Sequence, residues 1–263
     1  MRYVVIPKES AIAIALWIVH TYALDAAGCA PILAVLSPEK RCGKTLLLGL
    51  LIPLVRRPLP ASNTTPAVVF RAIEQWSPTL LVDEADSFLE AREELRGVLN
   101  SGHTRTTAYV LRTAGDDHEP RAFSTWCAKA IAMIGRLPAT LEDRSLVIPM
   151  KRRKPGEKVK RFRLRKVGPA PEILRRKTHR WAQDNMEMLK DADPEVPEEL
   201  NDRAQDNWRP LLAIADLTGG PWAAAARKAA LKLSGSDSAE ARSVSAGEKL
   251  DQEAPRERRS LAV

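Results

Sequence analysis

Ile32-Leu33-Ala34-Val35-Leu36-Ser37-Pro38-Glu39-Lys40-Arg41-Cys42-Gly43-Lys44-Thr45-Leu46-Leu47-Leu48-Gly49-Leu50 is the stretch whose reading decides the fold. Its apolar run, Ile32 to Leu36, predicts a buried parallel strand. A polar turn follows, and Gly43-Lys44-Thr45 opens a second apolar run that continues as a helix. Strand, loop and helix start in this order are the setting of a phosphate-binding loop. The unpaired N–H groups of the first helical turn face an anion, and the helix dipole favours negative charge there. On this reading Ser37, Pro38, Glu39, Lys40, Arg41, Cys42, Gly43, Lys44, Thr45 and Leu46 surround the phosphates of ATP. Lys44 reaches the β- and γ-phosphates, and the Thr45 hydroxyl joins the shell of a Mg2+ ion. The pattern G-x-x-x-x-G-K-[ST] fails only at its first glycine, where Pro38 stands. Proline donates no N–H and fixes φ, so this loop starts differently from the usual one. A chance Gly-Lys-Thr at a helix start is the competing reading, and the rest of the chain weighs against it.

The deciding companion is Thr79-Leu80-Leu81-Val82-Asp83-Glu84-Ala85-Asp86, four residues of buried-strand character ending in adjacent carboxylates. At the tip of such a strand Asp83 holds magnesium through water, and Glu84 orients or deprotonates the attacking water. Acids also follow strands at ordinary surface turns. Here they come one βαβα unit after the Gly-Lys-Thr loop, which favours the catalytic reading. A kinase acting on a small hydroxyl acceptor seldom carries such a water-directed glutamate, so hydrolysis is favoured over phosphotransfer.

The chain has 263 residues, enough for one large domain with a smaller appendage. Its formal charge of +8 is unevenly spread: between Lys151 and Arg180 the only acids are Glu157 and Glu172. Such clustering points to a polyanion, nucleic acid above all, although a basic run is also an ordinary solvated face. Cys29, Cys42 and Cys127 have no metal spacing and suit a reducing cytoplasm; modification of Cys42 should block nucleotide binding. Arg2 and Lys8 before the apolar run Ala11 to Leu24, with Cys29 beyond it, loosely imitate an export signal. Glu9, His20, Asp25 and Ala26 are wrong for one, and the run is too short to span a bilayer. No membrane role is expected.

Along the chain, Glu9 to Ala26 reads as an apolar helix with Trp17 in the core, and Lys44 to Leu54 as the helix after the loop. Leu59 to Ala61 is a brief strand, and Thr64 or Thr65 caps a helix with Pro66 at its first position. After a helix from Glu93 to Ser101, Thr106 to Thr113 and Arg121 to Trp126 form a β-hairpin ahead of the core strand Ala130 to Ile134. The hairpin tip carries Asp116, Asp117 and Glu119 beside His118, so Arg112 and Arg121 on its flanks are better DNA contacts than the tip. Gly135 and Arg136, at the end of the fourth core strand, are placed to sense the γ-phosphate. Arg144, just ahead of the fifth strand (Leu146 to Met150), is placed to cross a subunit boundary as a finger, worth roughly three to five orders of magnitude in turnover. A local Asp143–Arg144 pair is the plainer alternative. Arg152 opens a basic linker running to Lys166, and Lys151, Arg152 and Arg153 are candidate nucleic-acid contacts. Helices from Glu172 to Lys190, Leu200 to Leu217 and Pro221 to Leu233 follow, and either Arg203 or Arg209 can reach back over the nucleotide. From Ser234 onward no apolar period remains, which predicts disorder.

The motifs S-P-E-K-R-C-G-K-T, L-L-V-D-E-A-D, N-S-G-H, G-D-D-H-E-P with F-S-T-W, I-G-R-L-P-x-T-L-x-D-R-S and D-N-W-R-P-L-L-A-I-A-D together resemble the "domain of unknown function 3631" family of P-loop ATPases. The likeness runs from about Tyr3 to Leu233, and in that family Pro38 is the usual residue. It implies a three-layer α/β P-loop fold with a parallel central sheet, similar in layout to AAA+ and superfamily-three helicases, with an inserted β-hairpin and a small helical C-terminal lid. The expected organisation is a helical segment (1–30), an ATPase core (31–151), a basic linker with lid (152–233) and a tail (234–263). Family members sit on phages, plasmids and integrated elements, often beside primase modules. The resemblance therefore implies a homo-oligomeric, Mg2+-dependent ATPase acting on single-stranded or forked DNA, helicase or helicase-loader in type, with a primase or replication initiator as partner. A nucleotide-dependent regulatory or assembly switch without translocation is the alternative.

Overall fold

Four apolar strands buried along nearly their whole length and one partly exposed edge strand assemble into one parallel sheet with helices on either side. The computed structural model describes residues 2–62, 64–85, 93–115 and 118–235. The sheet comprises β1 (Ile32–Ser37), β2 (Pro58–Ala61), β3 (Thr79–Val82), β6 (Lys129–Ile134) and β7 (Ser145–Pro149), in the order β2-β3-β6-β1-β7. The separate hairpin pairs β4 (Tyr109–Ala114) with β5 (Glu119–Ser124). Alternation along each strand divides the core in two. Ile32, Ala34, Leu36, Leu80, Val82 and Ile131 face one layer, built from α3 (Pro66–Trp76), α4 (Glu93–Ser101) and the hairpin. Leu33, Val35, Leu81, Ala130 and Ile148 face the other, built from α1 (Lys8–Tyr22), α2 (Lys44–Leu51), α8 (Asp202–Thr218) and α9 (Trp222–Ser234). The short α5 (Ala139–Glu142), α6 (Ala170–Asp184) and α7 (Met186–Lys190) complete the helices among the described residues.

Several expected boundaries shift for local reasons. α2 stops at Leu51 rather than Leu54, because the ring of Pro53 would meet the carbonyl one turn back. Thr65 caps α3, its Oγ1 accepting from the Val68 N–H at 3.4 Å. The first hairpin strand begins at Tyr109 rather than Thr106, since Arg105–Thr107 forms a 3-10 turn tied down by the Arg105 N–H to the Gly28 carbonyl at 3.0 Å. The expected helix Glu172–Lys190 breaks at Asn185, whose side chain donates to the Trp181 carbonyl.

The larger correction concerns the C-terminal helices. α8 and α9 do not form a lid over the loop; they lie with α1 on one face of the sheet, sharing a single apolar core with it. Trp208 and Trp17 are completely buried there. The predicted disordered tail from Ser234 onward falls, from residue 236, outside the described residues, as do Asp86, Asp116 and Asp117. Among the described residues no helix is long and apolar enough to cross a membrane.

Candidate functional site

All five core strands are parallel, so their carboxyl ends share one edge of the sheet. In open α/β sheets that edge is where ligands gather. β1 delivers Ser37 to it, and the exposed loop Pro38–Arg41 leads through buried Cys42 and Gly43 into α2. Gly43 has φ +87°, a left-handed conformation open to glycine and strained for other residues, and an added Cβ would touch Met150 Cε at 3.6 Å. Lys44 Nζ donates to Ser37 Oγ at 2.5 Å, and Ser37 Oγ donates to the Glu39 carbonyl at 2.7 Å. The lysine is thus folded back over its own loop. Thr45, next along, is exposed at the start of α2.

β6 separates β1 from β3, and β3 ends in Asp83 and Glu84. Ser37 lies beside Ile134, and Val82 beside Ile131, so both chain ends emerge on the same edge. Two strand spacings put about 10 Å between the strands that carry them. Glu84 has φ +54°, and its N–H donates to Asp83 Oδ1 at 2.9 Å. That non-glycine left-handed residue turns the chain sharply off the strand, and Glu84 is exposed. Asp83 and Thr45 carry oxygen donors of the kind that could hold a magnesium ion. Gly135 closes the edge, its N–H donating to the Ser37 carbonyl at 2.9 Å, with Arg136 exposed beside it.

One contact at this edge escaped sequence reasoning. Met150 N–H donates to the Leu36 carbonyl at 2.7 Å, which brings the start of the basic segment against the loop. Arg152 then pairs with Glu39 at 3.2 Å and lies 3.5 Å from the Lys40 carbonyl. Arg152, expected on nucleic acid, therefore also screens the loop's only carboxylate. Lys151, Arg153 and the cations onward to Lys166 are exposed.

Three sets of predicted residues lie away from the loop. Arg203 and Arg209 sit on the half of α8 whose Asn207 binds the Asp143 carbonyl and His103, at the amino ends of the strands. Neither arginine reaches back over the loop; Arg209 pairs with Asp193 at 2.5 Å and Arg203 with Asp206 at 3.8 Å. Arg144 is also at that end, immediately before Ser145, which lies beside Ile32 five residues from Ser37. About 17 Å of strand separates it from its own loop. Its guanidinium donates to the Thr140 carbonyl at 2.7 Å rather than pairing with Asp143. On the hairpin, Arg112 pairs with Glu94 at 2.8 Å and Arg121 with Glu74 at 3.8 Å, so both expected DNA contacts face carboxylates of the chain's own helices. His118 is exposed in the turn at φ +55°.

The family match lies in the C-terminal part of the chain. The family described as "Protein of unknown function (DUF3631)" matches residues 149–254, which leaves the loop and the Asp83–Glu84 tip outside the match. A protein of Saccharopolyspora erythraea, described as an uncharacterized 28.9 kDa protein in the xis 5' region, is 40% identical over 84 residues. That alignment covers 32% of this chain and 31% of the relative, so the two are aligned over about a third of their lengths. Among solved structures, the A form apo structure of the NrS-1 C terminal region is similar with a TM-score of 0.40 at 11% identity, over 78% of this chain and 49% of that one.

Proposed function

We propose that this chain is a Mg2+-dependent ATP hydrolase that acts on DNA in mobile-element replication, helicase or helicase-loader in type, working as a homo-oligomer with a primase or replication initiator. The observation that carries the reading is the shared sheet edge: the Gly43-Lys44-Thr45 loop at the end of β1 and the Asp83-Glu84 tip of β3, with β6 between them. The residues present fit the cofactor. Lys44 is already gathered over the loop by Ser37, the first turn of α2 offers free N–H donors, and Thr45 with Asp83 gives an oxygen-only donor set. Bound magnesium would neutralise charge on the phosphate oxygens.

The chain's own groups supply the rest. Lys44 exchanges Ser37 Oγ for a phosphate oxygen. Glu84, exposed beyond the strand tip, accepts a proton from the attacking water. Arg136 contacts the terminal phosphate from the end of β6. Arg144, at the far end of the sheet, serves a neighbouring subunit's nucleotide rather than its own. The exposed cations from Lys151 to Lys166 bind the DNA backbone. The xis 5' region named for the similar protein is in keeping with a mobile-element setting. The alternative, a nucleotide switch without translocation, is favoured by one observation: Arg112 and Arg121 are engaged within the chain.

The test is ATP turnover with and without single-stranded DNA, alongside mass in solution. Glu84→Gln is expected to bind ATP and hydrolyse it very slowly, and mixing it with Arg144→Ala protein is expected to restore part of the activity. Normal turnover in Glu84→Gln removes this mechanism. Turnover indifferent to DNA in a permanent monomer selects the switch.

A further inference from the structure

Asn207 lies in α8 and is 2% exposed, on a helix whose other buried positions are alanine, leucine, isoleucine and tryptophan. A leucine there would extend the apolar face. Burying an amide instead costs free energy unless its donor and its acceptor are both satisfied. Both are, and neither partner belongs to α8: Oδ1 is 2.8 Å from His103 Nε2, and Nδ2 donates to the Asp143 carbonyl at 2.9 Å. Burial, as the largest cause, lowers the pKa of His103, so its ring is uncharged at neutral pH. A bond to an amide oxygen then places the ring proton on Nε2, a nitrogen that also lies 3.1 Å from Cys29 Sγ. With Oδ1 committed to that N–H, the amide is oriented and its NH2 group faces Asp143.

The Asp143 carbonyl belongs to the same rigid peptide plane as the Arg144 N–H. That N–H donates to the Leu141 carbonyl at 3.1 Å, and the Arg144 carbonyl accepts from the Ile32 N–H at 2.9 Å. Both peptide planes that flank the Arg144 Cα are therefore fixed, one by β1 and the other by α8. The direction in which the Arg144 side chain leaves the fold follows from those two planes. α8 is itself well held: Asn201 caps it, accepting from the Ala204 N–H at 2.9 Å. The completely buried Trp208, next to Asn207, donates from Nε1 to Ser234 Oγ of α9 at 3.0 Å.

We propose that Asn207 is a positioning residue for Arg144: clamped by His103, it holds the Asp143–Arg144 peptide so that the guanidinium is presented to a neighbouring subunit's nucleotide. The inference rests on the reading of Arg144 as a finger acting between subunits. It gives α8 a part in turnover without requiring it to cover the loop of its own subunit. A shift of about 1 Å in a catalytic group costs up to about a hundredfold in rate, so a single buried hydrogen bond two residues' breadth from the guanidinium is enough to matter.

The test measures ATP turnover and urea unfolding of the full chain for Asn207→Asp, which keeps an oxygen for His103 and loses the N–H, and for Asn207→Ala as a second variant. Turnover is expected to fall about tenfold to a hundredfold with KM unchanged. Adding Arg144→Ala to either variant should bring it only to the level of Arg144→Ala alone, as for residues that act as a unit. Mixing Asn207→Asp protein with Glu84→Gln protein should restore part of the activity, because the Glu84→Gln subunits offer a well-held Arg144 to neighbours with an intact Glu84. A merely structural Asn207 gives a lower unfolding midpoint, a loss that adds to that of Arg144→Ala, and no recovery on mixing; that result overturns the proposal. Wild-type turnover in a folded Asn207 variant, with Arg144→Ala impaired, overturns it and leaves the finger standing. Wild-type turnover in Arg144→Ala, or a wild-type chain inert towards ATP, removes it together with the reading on which it rests.

Discussion

Lowering the pH should expose the cost of burying His20, and the size of the effect follows from its surroundings. The imidazole is fully buried without a partner, and its pKa falls from 6.5 to about 4, first through burial and second through the Lys129 charge. Between those values the unfolded chain holds a proton that the folded chain refuses, so stability rises with pH across this window. The contribution is complete above 6.5 and lost as the pH falls to 4. A difference of 6.5 − 4 corresponds to about 3 kcal/mol in full, and to about 2 kcal/mol at pH 5. For a chain of this size that is a fall of roughly 4–8 °C in Tm. The assay is urea or thermal unfolding at pH 7 and pH 5 for the wild type and for His20→Phe. Other titrating groups, His103 included, act in both proteins, so the difference between their pH slopes isolates His20. Equal losses in the two proteins would refute the reasoning, because His20 would then exchange protons with solvent as freely folded as unfolded.

Two other predictions use single contacts. Gly102→Ala should destabilise the fold by about 2 kcal/mol or more in urea unfolding: its Cβ would fall 2.1 Å from the Thr125 carbonyl oxygen and 2.7 Å from Lys129 Nζ. That amine is fully buried on the Gly102 and Cys127 carbonyls at 2.8 Å and cannot move aside cheaply; a wild-type denaturation midpoint would show the carbonyls are not so placed. Arg152→Gln should weaken ATP binding about two- to fivefold at low salt, a small effect because both partners are about half exposed, and Glu39→Gln in the same chain should restore it. Unchanged affinity in the single variant would mean that Glu39 does not act on the phosphates.

Legibility followed sequence separation. The strand, loop and helix from Ile32 to Leu51 and the strand Thr79–Val82 could be read directly, because buried parallel strands are continuous apolar runs and Gly43-Lys44-Thr45 is local. The capping of α3 by Thr65 ahead of Pro66 was legible for the same reason. The ion pairs of Arg112 and Arg121 were not legible, since the glutamates they face, Glu94 and Glu74, come from other elements. The contact of Cys29 and Asn207 with His103 was out of reach altogether, because the three come from separate parts of the chain. The motifs N-S-G-H and D-N-W-R-P contain His103 and Asn207, but no spacing rule says that they touch.

What the amino-acid order determined by itself is the local chemistry of each turn: a lysine and threonine at a helix start, and paired acids at a strand tip. Backbone hydrogen bonding and side-chain alternation set those within a few residues. Which edge of the sheet each group occupies was decided by the folded chain, because strand order and helix packing depend on burial between distant segments. That decision put Lys44 and Asp83 on one edge, sent Arg144, Arg203 and Arg209 to the other, and laid α8 against α1 instead of over the loop.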